Sequence, residues 1–141
     1  MNLSELIKEY CLNQIQNENI KTWLDQKLQM IKSDQEFFIS FALVNKKIPR
    51  DPLQPTLEQV KNFHRINSKF TFEDWTLDQL CRLSLLMNYP FLNLQNLNKL
   101  ISVADTREQI TIYKSISYLE NASQYTPLVV DGIRTNIIDI F

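Results

Sequence analysis

The chain has 141 residues, of which 44% are apolar and 22% are charged, as in a soluble globular protein of one domain. A formal net charge of −1 provides no basic field for nucleic acid or anionic lipid, so these partners are excluded. The chain has one glycine where an average chain of this length has about ten, which disfavours tight hairpins and favours helices joined by ordinary loops.

The first half of the chain is predicted to form four helices. Apolar residues recur at helical spacing in segments 3–15 and 20–31. Segment 36–47 is apolar nearly all round, so we expect its helix to be buried on most sides, at the centre of the core. Three of the five prolines fall in residues 49–55, which predicts an extended connector before a weaker helix over 56–67.

The second half is predicted to add four more helices. A leucine-rich, mostly buried helix over 76–89 is stopped by Pro90, and a shorter one follows over 94–104. The apolar residues of 106–121 fit a strand and a helix equally well, and the acidic start without turn glycines favours the helix.

The last predicted helix begins at Thr126, its N-cap, with Pro127 at the first helical position. The only glycine, Gly132, falls on the apolar face of this helix. A glycine there costs up to about 1 kcal/mol relative to alanine. Its small size would let a neighbouring helix approach closely.

Four of the predicted helix starts carry the spacing of a capping box or of an N-cap and N3 pair. They are Ser33 with Glu36, Thr56 with Gln59, Thr76 with Gln79 and Asp105 with Glu108. The whole pattern predicts an all-α fold of about eight helices in antiparallel pairs, arranged as an irregular α-solenoid or an orthogonal helical bundle. We expect a single domain over residues 1–141.

Charged and polar side chains on these otherwise apolar helices are the candidate site residues. They are Asp78 and Arg82, Arg107 and Glu108, and Asp131, Arg134 and Asn136. A charge near a core must be paired or it costs several kcal/mol, so one interpretation is structural ion pairs between helices. The other is a polar groove for a partner or a small ligand.

The remaining reactive residue types give weaker signals. His64 is the only histidine, and Cys11 and Cys81 lie on apolar helix faces, where inert buried thiols are the expectation. Two cysteines and one histidine are too few for a zinc site of these ligands, and one glycine excludes phosphate-binding loops. We therefore predict no metal and no cofactor.

The N-terminal segment has acidic residues and helical apolar spacing, not the pattern of a signal peptide. The longest apolar run, FFISFALV, is too short to span a membrane. We expect no transmembrane segment and a cytoplasmic protein with reduced thiols.

Four stretches taken together resemble the EboA family of bacterial metabolite-traffic proteins. They are FFISFALVNKKIPR, WTLDQLCRLSLLMNYP, ADTREQITIYKSISYLENASQY and PLVVDGIRTNIIDIF. The resemblance covers roughly residue 36 to the end, and segments 3–15 and 20–31 match only in character. The positions that match its motifs are Trp75, Asp78, Gln79, Arg82, Gly132, Arg134, Thr135 and Asn136.

The resemblance implies an all-helical protein encoded beside a membrane prenyltransferase, a sugar-phosphate cyclase-like protein and TIM-barrel metal enzymes. It also implies a role in moving precursors of secondary metabolites towards the cell envelope, and it carries over no catalytic residue. Members of the family continue beyond the last residues of this sequence. We therefore expect a fragment of a longer fold; the alternative is a complete short form that buries the C-terminal helix in a homodimer.

Three functions follow as hypotheses. The first is a non-enzymatic adaptor or binding protein, with an apolar groove edged by Arg82, Arg107 and Arg134 that holds a partner or a small precursor. It would be peripheral at the inner membrane through partners such as the prenyltransferase-like or TIM-barrel enzymes. The second is an enzyme, or a subunit of one, acting on a sugar-derived or prenylated precursor, with Asp78, His64 or Glu108 as acid–base groups. The third is a general helical-repeat scaffold. The predicted binding residues are Trp75, Asp78, Gln79, Arg82, Arg107, Glu108, Arg134 and Asn136.

Overall fold

A computed structural model describes residues 1–134 of the protein and has the predicted all-α fold. Eight α-helices lie within the described residues, numbered here in chain order. They are α1 (Leu3–Gln14), α2 (Glu18–Met30), α3 (Asp34–Lys47), α4 (Leu57–Ile66), α5 (Leu77–Asn88), α6 (Leu94–Val103), α7 (Thr106–Ser115) and α8 (Thr126–Arg134). Three short 3-10 turns, Phe72–Asp74, Ile116–Tyr118 and Ala122–Tyr125, complete the connections between them.

Polar caps set the starts of these helices, and the four predicted cap positions are confirmed. Ser33 accepts a hydrogen bond from the backbone N–H of Glu36, and Thr56, Thr76 and Asp105 each precede the first residue of α4, α5 and α7. Three asparagine caps were missed from the sequence: Asn2, Asn17 and Asn93 cap α1, α2 and α6. Each of them satisfies a backbone N–H that has no partner within the helix.

Helix α5 is the centre of the core. Helices α1, α2, α3 and α7 all pack against it, and ten of its twelve residues are buried. The prediction that the 36–47 helix is central was therefore wrong. Helix α3 buries Phe37, Phe41 and Val44 on one face and leaves Ile39 about half exposed, at 52%. This convergence on one helix favours the bundle over the solenoid, in which a repeat contacts only its neighbours.

The segment 49–55 is non-helical, as its prolines predict. It runs beside the start of α5, where the backbone N–H of Leu77 donates to the carbonyl of Asp51 at 2.8 Å. This bond supplies a partner to an N–H in the first turn of α5 that the helix itself cannot satisfy. The connector therefore helps to hold the beginning of α5 in place.

An aromatic cluster packs behind the same end of α5. Phe70 stacks on Trp75 with ring centroids 6.1 Å apart, and Tyr118 meets the Trp75 ring edge-on at 6.0 Å. Phe63 and Phe72 extend the cluster towards α1, with a centroid distance of 4.5 Å between them. These ring contacts fix Trp75, which is only 4% exposed.

The C-terminal third is helical, which settles the ambiguity of segment 106–121: α7 ends at Ser115 and continues as the 3-10 turn Ile116–Tyr118. Thr126 was predicted as an N-cap, and this was wrong. Its φ of −51° and ψ of −42° are helical, because the 3-10 turn before it leads directly into α8, and its hydroxyl donates to the carbonyl of Ser123.

Gly132 lies on the buried face of α8, as expected. Two predictions fall outside the described residues. They are the role of Asn136 as a binding residue, and a dimer formed through the C-terminal helix with its apolar residues Ile137, Ile138, Ile140 and Phe141. No helix within residues 1–134 has the length and apolar character that crossing a membrane requires.

Candidate functional site

The site is built at the first turn of α5, where α7 crosses it. The guanidinium of Arg107 donates two parallel hydrogen bonds to the carboxylate of Asp78, Nε to Oδ2 and Nη2 to Oδ1, both 3.1 Å long. Arg107 Nη2 also donates to the Thr76 hydroxyl at 3.0 Å, and that hydroxyl donates to Asp78 Oδ1. The N-cap of α5 and the first turn of α7 are therefore joined by one hydrogen-bonded unit.

Arg82 lies one helical turn further along α5 and is completely buried. Its Nη1 is 3.8 Å from Asp78 Oδ2, and its Nη2 is 3.7 Å from Glu108 Oε2, so both carboxylates pair with it electrostatically. Its Nε donates to the backbone carbonyl of Phe41 at 3.1 Å, and the guanidinium lies 5.2 Å from the centre of the Phe41 ring. Within the described part of the chain neither Nη atom has a partner at hydrogen-bond distance.

The buried charges thus form a chain that alternates in sign, which we call the ion network: Arg107, Asp78, Arg82 and Glu108. It ties α3, α5 and α7 together, since Arg82 reaches the carbonyl of Phe41 in α3. This arrangement is the one expected of structural ion pairs between helices, in which each buried charge has an opposite neighbour.

The pKa values of the network reflect this balance. Burial by itself would raise the pKa of Asp78, but the hydrogen bonds from Arg107 and Thr76 and the charges of Arg107 and Arg82 outweigh it, and the pKa lies below its ordinary value. Burial lowers the pKa of Arg82, against the opposing effect of Glu108 and Asp78. Burial also raises the pKa of Glu108, although a backbone hydrogen bond at Asp105 and the charge of Arg82 oppose the shift.

An open cavity of about 480 Å³ is linked to the first turn of α5 through Gln79, which accepts a hydrogen bond from its lining residue Lys114. Its lining residues are Asp74, Trp75, Tyr113, Lys114, Ser117 and Tyr118, and we call it the Lys114 cavity. The Lys114 ammonium donates to Gln79 Oε1 at 3.2 Å and to the carbonyl oxygen of Asp74, and it lies 4.5 Å from the centre of the Trp75 ring. Burial lowers the pKa of Lys114, and the charge of Asp74 opposes this shift.

Gln79 connects the ion network and the cavity. Its side-chain oxygen accepts from the backbone N–H of Thr76 and from Lys114 Nζ, both at 3.2 Å. The motif residues Trp75, Asp78, Gln79 and Arg82 therefore do come together, around one end of one helix. Thr76 and Lys114 belong to the same assembly; Thr76 was predicted only as a helix cap, and Lys114 was not singled out from the sequence. Their signal is weak, because a threonine cap and a lysine in a helix are common surface features.

The other predicted residues lie elsewhere or are arranged differently. Arg134 is exposed, with 77% of its side chain accessible, and its ion pair at 4.0 Å is with Asp131 of the same helix. Because Arg82 is buried in the core, the predicted groove edged by Arg82, Arg107 and Arg134 is wrong. Asn136 lies outside the described residues.

His64 is exposed on α4 and lines a different cavity, with Leu53, Pro55, Val60, Thr71, Phe72 and Glu73. Cys11 and Cys81 are free and buried, as expected. They contribute to the packing of α1 on α5, and burial together with a hydrogen bond to Cys11 raises the pKa of the Cys81 thiol well above its ordinary value. Residues 1–134 hold no group of three or more His, Cys, Asp or Glu side chains placed to bind a metal ion.

A comparison with protein families finds a match over almost the whole chain. The sequence profile of the family described as "Metabolite traffic protein EboA" covers residues 3–141, and so includes α1 and α2 as well as the stretches that carry the resemblance. No curated protein and no solved structure matches the chain.

Proposed function

Because the chain belongs to the EboA family of metabolite traffic proteins, we propose that it acts in this traffic as a non-enzymatic binding protein. It would hold a metabolite precursor, or a partner that carries one, on the way towards the cell envelope. The proposed binding residues are those around the first turn of α5: Trp75, Asp78, Gln79, Arg82, Arg107 and Glu108, of which the buried Asp78 and Arg82 would act by positioning the others. Arg134 and Asn136 remain proposed contributors from the C-terminal segment.

The observation that carries the proposal is the pairing of both candidate acid–base carboxylates with one buried guanidinium. Asp78 and Glu108 lie 3.8 and 3.7 Å from Arg82, and Asp78 is also gripped by Arg107. Two arginines hold Asp78 ionised, so it is poorly suited to give or take a proton near neutral pH; Glu108, whose pKa is raised by burial, pairs with Arg82 alone. Rigid ion pairs are well suited to fix the wall of a neighbouring cavity.

The enzyme hypothesis requires acid–base groups that converge on a substrate cavity. His64 lies on α4 in a different cavity from the one beside Asp78, and the side chain of Asp78 is fully buried. These placements favour binding over catalysis.

The scaffold hypothesis predicts exposed aromatic residues along a concave surface. Within the described residues, Phe91 is the one aromatic among the large apolar side chains that are exposed, so this hypothesis gains little support.

The proposed partners are the proteins encoded beside the gene, the membrane prenyltransferase-like protein and the TIM-barrel enzymes. Co-expression of this chain with each of them, followed by affinity capture and native mass spectrometry, tests the proposal. We expect a stable complex with at least one. Asp78→Asn, which disrupts the ion network, should weaken capture, and the matched control Asp51→Asn, an exposed change of the same kind, should leave it unchanged.

The proposal fails if no neighbouring protein is captured and no small molecule remains bound after purification from the producing cells. The enzyme alternative would be supported by turnover of a prenylated or sugar-derived precursor that is lost in the Glu108→Gln variant.

A further inference from the structure

The Lys114 cavity has the volume of a small-molecule site. Its volume of about 480 Å³ lies within the range of roughly 300–1,000 Å³ typical of ligand pockets. One wall is the 3-10 turn Phe72–Asp74 with Trp75, and the other is the last turn of α7 with the turn Ile116–Tyr118. The ring contacts of Phe70 and Tyr118 with Trp75 hold the first wall rigid.

The charge of Lys114 is the unusual feature of this cavity. Its side chain is partly buried, yet within residues 1–134 no carboxylate lies within 4.0 Å of its ammonium group. Its partners are two neutral oxygens and an indole ring. A partly desolvated ammonium without a counter-ion is costly, and an anion bound in the cavity would remove that cost.

The nearby acidic groups do not supply this counter-ion. Asp74 lines the cavity and its charge acts on Lys114, but its carboxylate lies more than 4.0 Å from the ammonium group, and it is the backbone carbonyl of Asp74 that accepts a hydrogen bond from Lys114. The carboxylate of Asp78 is taken up by Arg107 and Arg82. Two of the three N–H groups of Lys114 bind the neutral oxygens, which leaves its third N–H directed elsewhere.

The remaining lining suits a flat ring. Tyr113 and Tyr118 are half-buried, and Ser117, which also lines the cavity, is exposed. Aromatic side chains bind flat rings through offset or edge-on contacts and lose little conformational entropy when they do so.

From this geometry we propose that the Lys114 cavity binds a planar aromatic acid, with the acidic group on Lys114 Nζ and the ring between Tyr113 and Tyr118. The inference rests on the proposed function, since it gives the chemical class of the molecule that the protein would hold. A cationic ligand would be repelled by Lys114, and an uncharged apolar one would leave the partly buried ammonium group without an anionic partner.

The test is isothermal titration calorimetry at pH 7 with three probes of one shape: 2-naphthoate, the neutral 2-naphthamide and the cationic 2-naphthylmethylammonium. We expect 2-naphthoate to bind, and the other two to bind about tenfold more weakly or worse, as the loss of a charge-assisted hydrogen bond predicts. Equal affinity for acid and amide, or no heat from 2-naphthoate, would overturn the inference.

Variants separate the role of the charge from that of the cavity. Lys114→Met should weaken 2-naphthoate binding about tenfold or more. Lys99→Met removes the same charge from an exposed site on α6 and should leave binding unchanged, while Lys114→Arg should retain most of it. Ser117→Phe adds bulk to the cavity lining without a change of charge and should abolish binding of all three probes. Equal binding by Lys114→Met and Lys99→Met would refute the assignment even if Lys114→Met proves less stable.

The failure of this inference is distinguishable from the failure of the proposed function. If a neighbouring protein is captured but 2-naphthoate does not bind, the cavity assignment falls and the binding role stands. If 2-naphthoate binds as expected but no neighbouring protein is captured, the cavity assignment stands and the partner proposal falls.

Discussion

The carboxylate of Asp78 and the guanidinium of Arg107 form a bidentate salt bridge, with both N–O distances at 3.1 Å, between residues 29 positions apart in the chain. Asp78 is fully buried and Arg107 is 31% exposed, so the pair runs from the core to the surface. It is the shortest ion pair among the described residues, and it joins α5, the centre of the bundle, to α7.

Loss of this contact should be costly. Asp78→Asn removes a buried negative charge between two arginines, and we expect the free energy of unfolding to fall by about 3–5 kcal/mol, as for other broken buried pairs. Urea unfolding followed by circular dichroism measures the change. Asp51→Asn, an exposed change of the same kind, should stay within about 0.5 kcal/mol of wild type. A comparable loss in both variants would contradict a special role for Asp78.

The same residue predicts a pH dependence. The pKa of Asp78 is lower in the folded than in the unfolded chain, so its ionised form stabilises the fold above the unfolded pKa. This contribution is lost as the pH falls through the folded-state pKa. The stability difference between wild type and Asp78→Asn should be constant from about pH 7 to 5 and should shrink below about pH 4. Urea titrations across this range measure it.

Arg82 and Glu108 should be strongly coupled. Arg82→Met leaves Glu108 without its buried counter-ion, and Glu108→Gln leaves one end of the Arg82 guanidinium without a charge nearby. We expect each single variant to be destabilised and the double variant to lose less than the sum, by about 0.5–3 kcal/mol. A double-mutant cycle from urea unfolding gives the coupling energy. Additive effects would show that the 3.7 Å separation carries no interaction of this size.

The two thiols should be unreactive in the folded protein. Cys11 and Cys81 are both buried with no measurable exposure, and burial raises the pKa of Cys81. We expect Ellman's reagent to label neither residue in buffer and both residues in urea. Ser68→Cys, at an exposed position, provides the accessible thiol for comparison. Fast labelling of two thiols in the native Ser68→Cys protein would show that the core opens locally.

Much of the fold could be predicted from the sequence, because the sequence signals for helices are local. Helix starts depend on a cap and the residue three positions later, and the pairs at Ser33, Thr56 and Asp105 were found correctly. The prediction for Thr126 failed because a 3-10 turn continued into the helix and made a cap unnecessary. The residues near Thr126 in the sequence give no signal that the 3-10 turn continues into the helix.

Only part of the candidate site could be predicted from the sequence. The pattern of charges on apolar helices identified Asp78, Arg82, Arg107 and Glu108, since a charge near a core requires a partner wherever it lies. It did not identify which charges meet, and it placed Arg82 at the edge of a groove when the side chain is buried. Lys114 was missed because its importance depends on Trp75 and Gln79, which are 39 and 35 positions away.

The sequence by itself determined that the chain folds into amphipathic helices with these starts, because periodicity and capping act over a few residues. It also carried the family, through stretches that are spread along the chain. Only the tertiary structure decided that α5 is the centre, that four charges form one network and that Lys114, with no carboxylate of residues 1–134 within 4.0 Å of its ammonium group, lines a cavity. These are contacts between residues far apart in the chain, and they depend on how the helices pack, which no local pattern specifies.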